Sequence, residues 1–177
     1  MKVIIVVWSK HGSTRAIAEV VGDELRDGAL DVSIVDPDAD DPSLDGYDAA
    51  VIASAVYVGR WMKDARLFLD ENRELLRKMP LWLFSSGPLG DGSEPDDLAE
   101  IRAFADDVHA RDHRVFAGSL DKADLTLAER AAVRIVHAPY GDSREWNEIR
   151  SWAKTILAEL TVSAIATAEV SSTTELS

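Results

Sequence analysis

A chain of 177 residues, 46% hydrophobic and 29% charged, has the size and balance of one soluble α/β domain with a full core. It contains no cysteine, which excludes a disulfide framework, a thiolate metal site and a cysteine nucleophile. Its four histidines show no metal-ligand spacing, so no metal is expected, and a net charge of −13 argues against nucleic-acid binding, which needs a basic face.

The chain begins with an unbroken apolar run, Val3 to Trp8, the pattern of a parallel strand covered on both faces. A turn with three hydroxyls and one glycine follows: Ser9, Lys10, His11, Gly12, Ser13 and Thr14. The segment from Arg15 to Leu25 then reads as a helix, so the turn lies at a helix N-terminus. Backbone N–H groups and the helix dipole favour a phosphate there. The spacing is neither G-x-G-x-x-G nor G-x-x-x-x-G-K-[ST]; it is S-x-x-G-x-T. Such a turn fits a phosphate cradle, and it equally fits a plain helix start capped by Ser13 or Thr14.

Asp31 to Val35 reads as a second strand and the acidic, proline-bounded stretch from Asp36 to Pro42 as a solvated loop. Asp48 to Ser54 reads as a third strand and Met62 to Leu76 as a helix, with Ala65, Phe68, Leu69 and Leu76 at three- and four-residue steps. Pro80 to Ser86 is the fourth strand, Pro95 to His109 a helix with proline in its first turn, and His113 to Ser119 the fifth strand. Helices over Leu125 to Val136 and Glu145 to Leu160 complete the alternation. From residue 161 to 177 the chain becomes rich in Ser, Thr and Ala, and is expected to be a mobile tail beside a domain over residues 1–160.

Strands alternating with helices imply a doubly wound five-stranded parallel sheet, order 2-1-3-4-5, with helices on both faces. In that order the ligand sits at the carboxyl ends of the first and third strands, as FMN does in flavodoxin. Three loops then lie side by side. They are Ser9 to Thr14, the segment from Ser54 through Ala55, Val56, Tyr57, Val58 and Gly59 to Trp61, and the segment from Ser85 through Ser86, Gly87 and Gly90 to Gly92. Each starts with serine and contains glycine, which lets backbone approach a ligand closely. A phosphate cradle beside a slot for a flat ring suits FMN.

The turn Ser9–Thr14 resembles the T/S-x-T-G-x-T phosphate loop of the flavodoxin superfamily, departing at His11 where flavodoxins usually carry threonine. Gly141 to Ala153 is similar to the G-D-x-R-D-W-x-x-I-x-x-W segment of the branch containing menaquinone-dependent protoporphyrinogen oxidase, and Val115 to Leu120 resembles that branch's fifth strand. The resemblance implies that FMN contacts the loop residues named above, with Tyr57 against the ring. Strand and helix spacing places Trp82, Trp146 and Trp152 in the core, and Asp142 and Arg144 are expected to fix the turn before the last helix. The third loop carries no aromatic residue.

With no nucleophile–base arrangement in these loops, the chemistry falls to the cofactor. The function expected is an FMN-dependent oxidoreductase passing electrons from a substrate to a quinone or another acceptor. Its partners would be a redox protein or a quinone- or porphyrin-type molecule. A flavodoxin-type electron carrier and a flavin-free binding module are the alternatives. The first residues read directly as a strand, so no secretory signal is expected, and no apolar run approaches the roughly 18 residues of a membrane span. The expected location is cytoplasmic, with at most peripheral membrane contact.

Overall fold

The computed structural model describes residues 1–37, 42–57, 59–87, 98–120 and 141–174, with side chains described only to residue 165 at the C-terminal end. The expected helix over Leu125 to Val136 and the centre of the acidic loop lie outside the described residues.

The apolar run forms β1 (Lys2–Trp8), whose residues from Val3 onward are all buried. Beside it lie β2 (Asp31–Val35) and β3 (Ala49–Tyr57), both parallel to it. β3 turns back through a short strand, β4 (Arg60–Trp61), and pairs on its other edge with β5 (Leu81–Gly87), which pairs with β6 (Asp112–Ala117). The sheet order β2-β1-β3-β5-β6 is the expected five-stranded parallel order, with β4 added as an antiparallel hairpin on β3. A two-stranded ribbon of β7 (Ser119–Leu120) and β8 (Gly141–Asp142) leaves the end of β6.

Alternation along the strands splits the core into two layers. On one face, Val3, Ile5 and Val7 of β1 meet α1 (Ser13–Asp27) through Ile17, Val21 and Leu25. The same layer takes Ile149, Trp152 and Ile156 from α5 (Trp146–Thr174), and Trp152 joins Phe84 and Phe116 in an edge-to-face cluster with centroids 5.5–5.8 Å apart. On the other face, Ile4, Ile52 and Leu83 pack against α2 (Lys63–Glu71), α3 (Arg73–Leu76) and α4 (Ala99–Asp107).

Two helices differ from the sequence reading. The helix expected over Met62 to Leu76 breaks at Asn72, whose side-chain amide donates to Phe68 O at 2.9 Å and so competes with the helical ladder. α5 continues to Thr174, well past the expected end at Leu160, because no glycine or proline interrupts it. Beyond Leu160 it leaves the core: Val162 and Ile165 are 67% and 56% exposed. Among the described residues no helix is long and apolar enough to cross a membrane.

Candidate functional site

β1 ends at Trp8, and the chain enters α1 through Gly12, whose φ of 79° lies in the left-handed region that glycine occupies without steric cost. Among the described residues no side chain caps this helix. The N–H groups of its first turn have no acceptor within the helix, so they face the site with the positive end of the dipole behind them. Neither Ser13 nor Thr14 serves as a cap. Thr14 is buried, and the Ser13 hydroxyl accepts the Ser119 N–H at 2.8 Å, which ties the chain just beyond β6 to the turn.

Around this helix start is a cleft. Its first wall is Ser9, His11, Ser13 and Thr14; Ala55, Val56 and Tyr57 at the end of β3 make the second. Ser86 and Gly87 of β5 make the third, and Gly118 with Ser119 the fourth. A Cβ on Gly118 would lie 3.3 Å from both the Ser13 and the Ser86 hydroxyl oxygens, so this fourth strand end comes in close. Two of the hydroxyls in the cleft, those of Ser9 and Ser86, are buried and have no hydrogen-bond partner among the described residues. A buried hydroxyl left unpaired costs about 1–3 kcal/mol, and the exceptions in native proteins call for a cause.

His11 reaches across the cleft mouth to Tyr57, ring edge to ring at 6.2 Å between centroids, and Lys10 Nζ lies 5.9 Å from the centre of the same tyrosine ring. The residue at which the first turn departs from the flavodoxin pattern thus touches the aromatic of the second loop. Gly59, at φ 77°, makes the hairpin turn into Arg60.

Ser54 and Ser85, each the first residue of an expected ligand loop, face the opposite layer. They are paired across β3 and β5 and fully buried. Ser54 Oγ donates to Ala55 O at 2.9 Å and accepts the Met62 N–H at 3.0 Å. Ser85 Oγ accepts the Trp61 Nε1–H at 2.7 Å and lies 2.9 Å from His113 Nε2. Burial, reinforced by the positive charge of Arg102 and opposed by Asp112, pushes His113 down to about 4. The imidazole is therefore neutral at pH 7.

Of the residues expected to bind cofactor, the structure brings Ser9, His11, Ser13, Thr14, Ala55, Val56, Tyr57, Ser86 and Gly87 to the cleft wall. Gly12 shapes the turn behind it, Lys10 sits at its mouth, and the side chains of Ser54 and Ser85 lie beneath it. Val58 and Gly90 are outside the described residues. Sequence reasoning missed Gly118 and Ser119. The signal was present, since a strand ending in Gly-Ser at the same sheet edge repeats the composition of the other loops.

Asp142 and Arg144 behave as the sequence suggested. The Arg144 guanidinium and N–H bind the carboxylate at 2.7–3.1 Å, holding Asp142 down to about 2, and Arg144 stacks 4.4 Å from the Trp146 ring centre. Ser143 N–H donates to Gly118 O at 3.2 Å, so this turn also braces the fourth wall.

Known proteins match this architecture. The chain is 23% identical over 171 residues to protoporphyrinogen IX dehydrogenase [quinone] of Escherichia coli K12, covering 88% of this chain and 94% of that one. A flavodoxin from the domain Archaea superposes with a TM-score of 0.53 at 22% identity, over 77% of this chain and 97% of its own. Rubredoxin:oxygen oxidoreductase from Desulfovibrio gigas superposes with a TM-score of 0.63 at 17% identity, over 91% of this chain and 36% of its own. The flavodoxin domain family matches residues 4–147, and the chain belongs to that family.

Proposed function

We propose that this chain holds FMN in the cleft and works as an oxidoreductase, moving electrons from a reduced substrate to a quinone or another acceptor, as the name of its Escherichia coli relative describes for that protein. The observation that carries the reading is a pair of buried hydroxyls, Ser9 and Ser86, that have no partner among the described residues and line the cleft at the start of α1. The donor set suits a phosphate monoester, because neutral hydroxyls and amides supply many hydrogen bonds to it at short range. Bound there, the flavin would supply the electron chemistry.

The protein's own part is to bind, orient and exclude water. Ser9, Ser13, Thr14 and the first amides of α1 receive the phosphate, and Ser86 approaches from β5. Ala55 and Val56 give an apolar floor, and Tyr57 walls the ring side. Residues 1–160 would form the domain that carries the site, with the Ser-, Thr- and Ala-rich stretch from residue 161 to 177 outside it. The protein acts in the cytoplasm with at most peripheral membrane contact.

The test is anaerobic turnover of protoporphyrinogen IX by FMN-loaded protein with a menaquinone analogue as acceptor. Steady-state porphyrin formation is expected. Protein that binds FMN without turning over would contradict the oxidoreductase reading. The net charge of −13 favours a second reading, a carrier that docks on basic redox proteins. Rapid reduction by a partner reductase, with no porphyrin formed, would establish it.

A further inference from the structure

The structure assigns His113 a positioning role: through Ser85 it holds Trp61, and with Trp61 the β3–β4 hairpin that presents Tyr57 to the cleft. The three groups come from three strands, Trp61 from β4, Ser85 from β5 and His113 from β6. An indole N–H only donates, so Ser85 Oγ must accept from Trp61. Taking the serine's own proton as directed at His113 Nε2, 2.9 Å away, leaves the imidazole proton on Nδ1. The imidazole also packs edge-on against the indole, 6.4 Å between centroids.

The hairpin needs such an anchor. Its ladder has two pairs, Val56 with Trp61 and Tyr57 with Arg60, and a ladder that short does not hold itself in place. Side-chain bonds fix its return strand instead: Ser54 accepts from the Met62 N–H, and Ser85 accepts from the Trp61 indole. Apart from Ser54 and Ser85, the buried face on which His113 sits is largely apolar, with Leu83 of β5 as its register partner. A leucine would fill that space without the cost of burying an imidazole, but it could not receive the Ser85 proton.

The hairpin's anchoring stands on geometry alone; its consequence for ligand binding rests on the FMN reading. The test compares the wild-type chain with His113→Leu, His113→Gln and Trp61→Phe. Amide hydrogen exchange in the hairpin and FMN titration by fluorescence quenching are the readouts. His113→Leu is expected to speed exchange at Tyr57 and Trp61 at least about tenfold and to weaken FMN about tenfold, the worth of one buried hydrogen bond. His113→Gln keeps an acceptor near Nε2 and is expected to stay within about threefold of wild type in both. Trp61→Phe, which keeps a ring and loses the donor, should loosen the hairpin as His113→Leu does, and it decides the matter if His113→Leu fails to fold. Unchanged exchange in His113→Leu or in Trp61→Phe, or a His113→Gln variant as loose as His113→Leu, would overturn the proposal. If wild-type protein quenches no FMN, the cofactor reading fails, while the exchange experiment still decides the role of His113.

Discussion

Ser85 and Ser86 are neighbours in sequence, both buried, and opposite in circumstance. The pleat of β5 sends Ser85 into the layer beneath α2 and α4, where Trp61 and His113 use its hydroxyl. It sends Ser86 into the cleft beside α1, where nothing among the described residues bonds it. Ser54 and Ser9 repeat the contrast on β3 and after β1. Composition alone does not separate a structural hydroxyl from one awaiting a ligand. The face it lands on does, and the energetic signature is whether its hydrogen bonds close within the protein.

That contrast breaks most visibly at Ser85. Ser85→Ala strands the buried Trp61 N–H and removes the partner of His113. We expect the unfolding free energy to fall by roughly 2–4 kcal/mol in urea titration. The next effect follows pH. The His113 imidazole titrates near 6.5 when unfolded and near 4 when folded, so between these values the unfolded chain binds the extra proton. Its contribution is complete above pH 6.5 and is lost as pH falls through 4, by at most about 3 kcal/mol. His113→Leu should flatten that stretch of the stability curve. The loss that follows from carboxylates such as Asp142, held down near 2, belongs to lower pH and should persist in the variant.

Gly12→Ala forces a Cβ into a left-handed turn and is expected to cost about 1–2 kcal/mol in thermal melts. Open space surrounds that position, so the loss would come from backbone strain alone. The smallest change in stability is expected at Ser86. Ser86→Ala removes a hydroxyl that has no partner among the described residues, so stability should stay within about 0.5 kcal/mol of wild type or rise, while FMN binding weakens several-fold in equilibrium titration.

Much of the fold is legible in the residues themselves. The run from Val3 to Trp8 reads as a strand covered on both faces, and the alternation of helix and strand leaves few sheet orders open, the observed one among them. What escapes is finer. A serine at a strand end can face either layer, and a one-residue difference in where the strand begins reverses the outcome. Ser54 and Ser85 therefore group with Ser9 as ligand-facing when only the sequence is read. His113 looks like one of four scattered histidines, because its meaning depends on Trp61, which is 52 residues away in the chain and meets it through Ser85 of β5 and a direct ring contact. The fourth wall at Gly118 and Ser119 is hidden for a related reason: it joins the cleft through the Ser13 hydroxyl, 106 residues earlier in the chain. The continuation of α5 beyond Leu160 follows from a lack of helix breakers, a weaker signal than the loss of apolar periodicity that suggested its end.

The proposed phosphate site is made of Ser9, Ser86 and the start of α1. The direct measurement is the dissociation constant of FMN against that of riboflavin, which has the same ring and no phosphate, with the full-length chain. A phosphate site there predicts saturable one-to-one binding of FMN, tighter than riboflavin by about a hundredfold or more, as two or more charge-assisted hydrogen bonds would give. Equal affinity for the two, or no saturable binding of FMN, would contradict it.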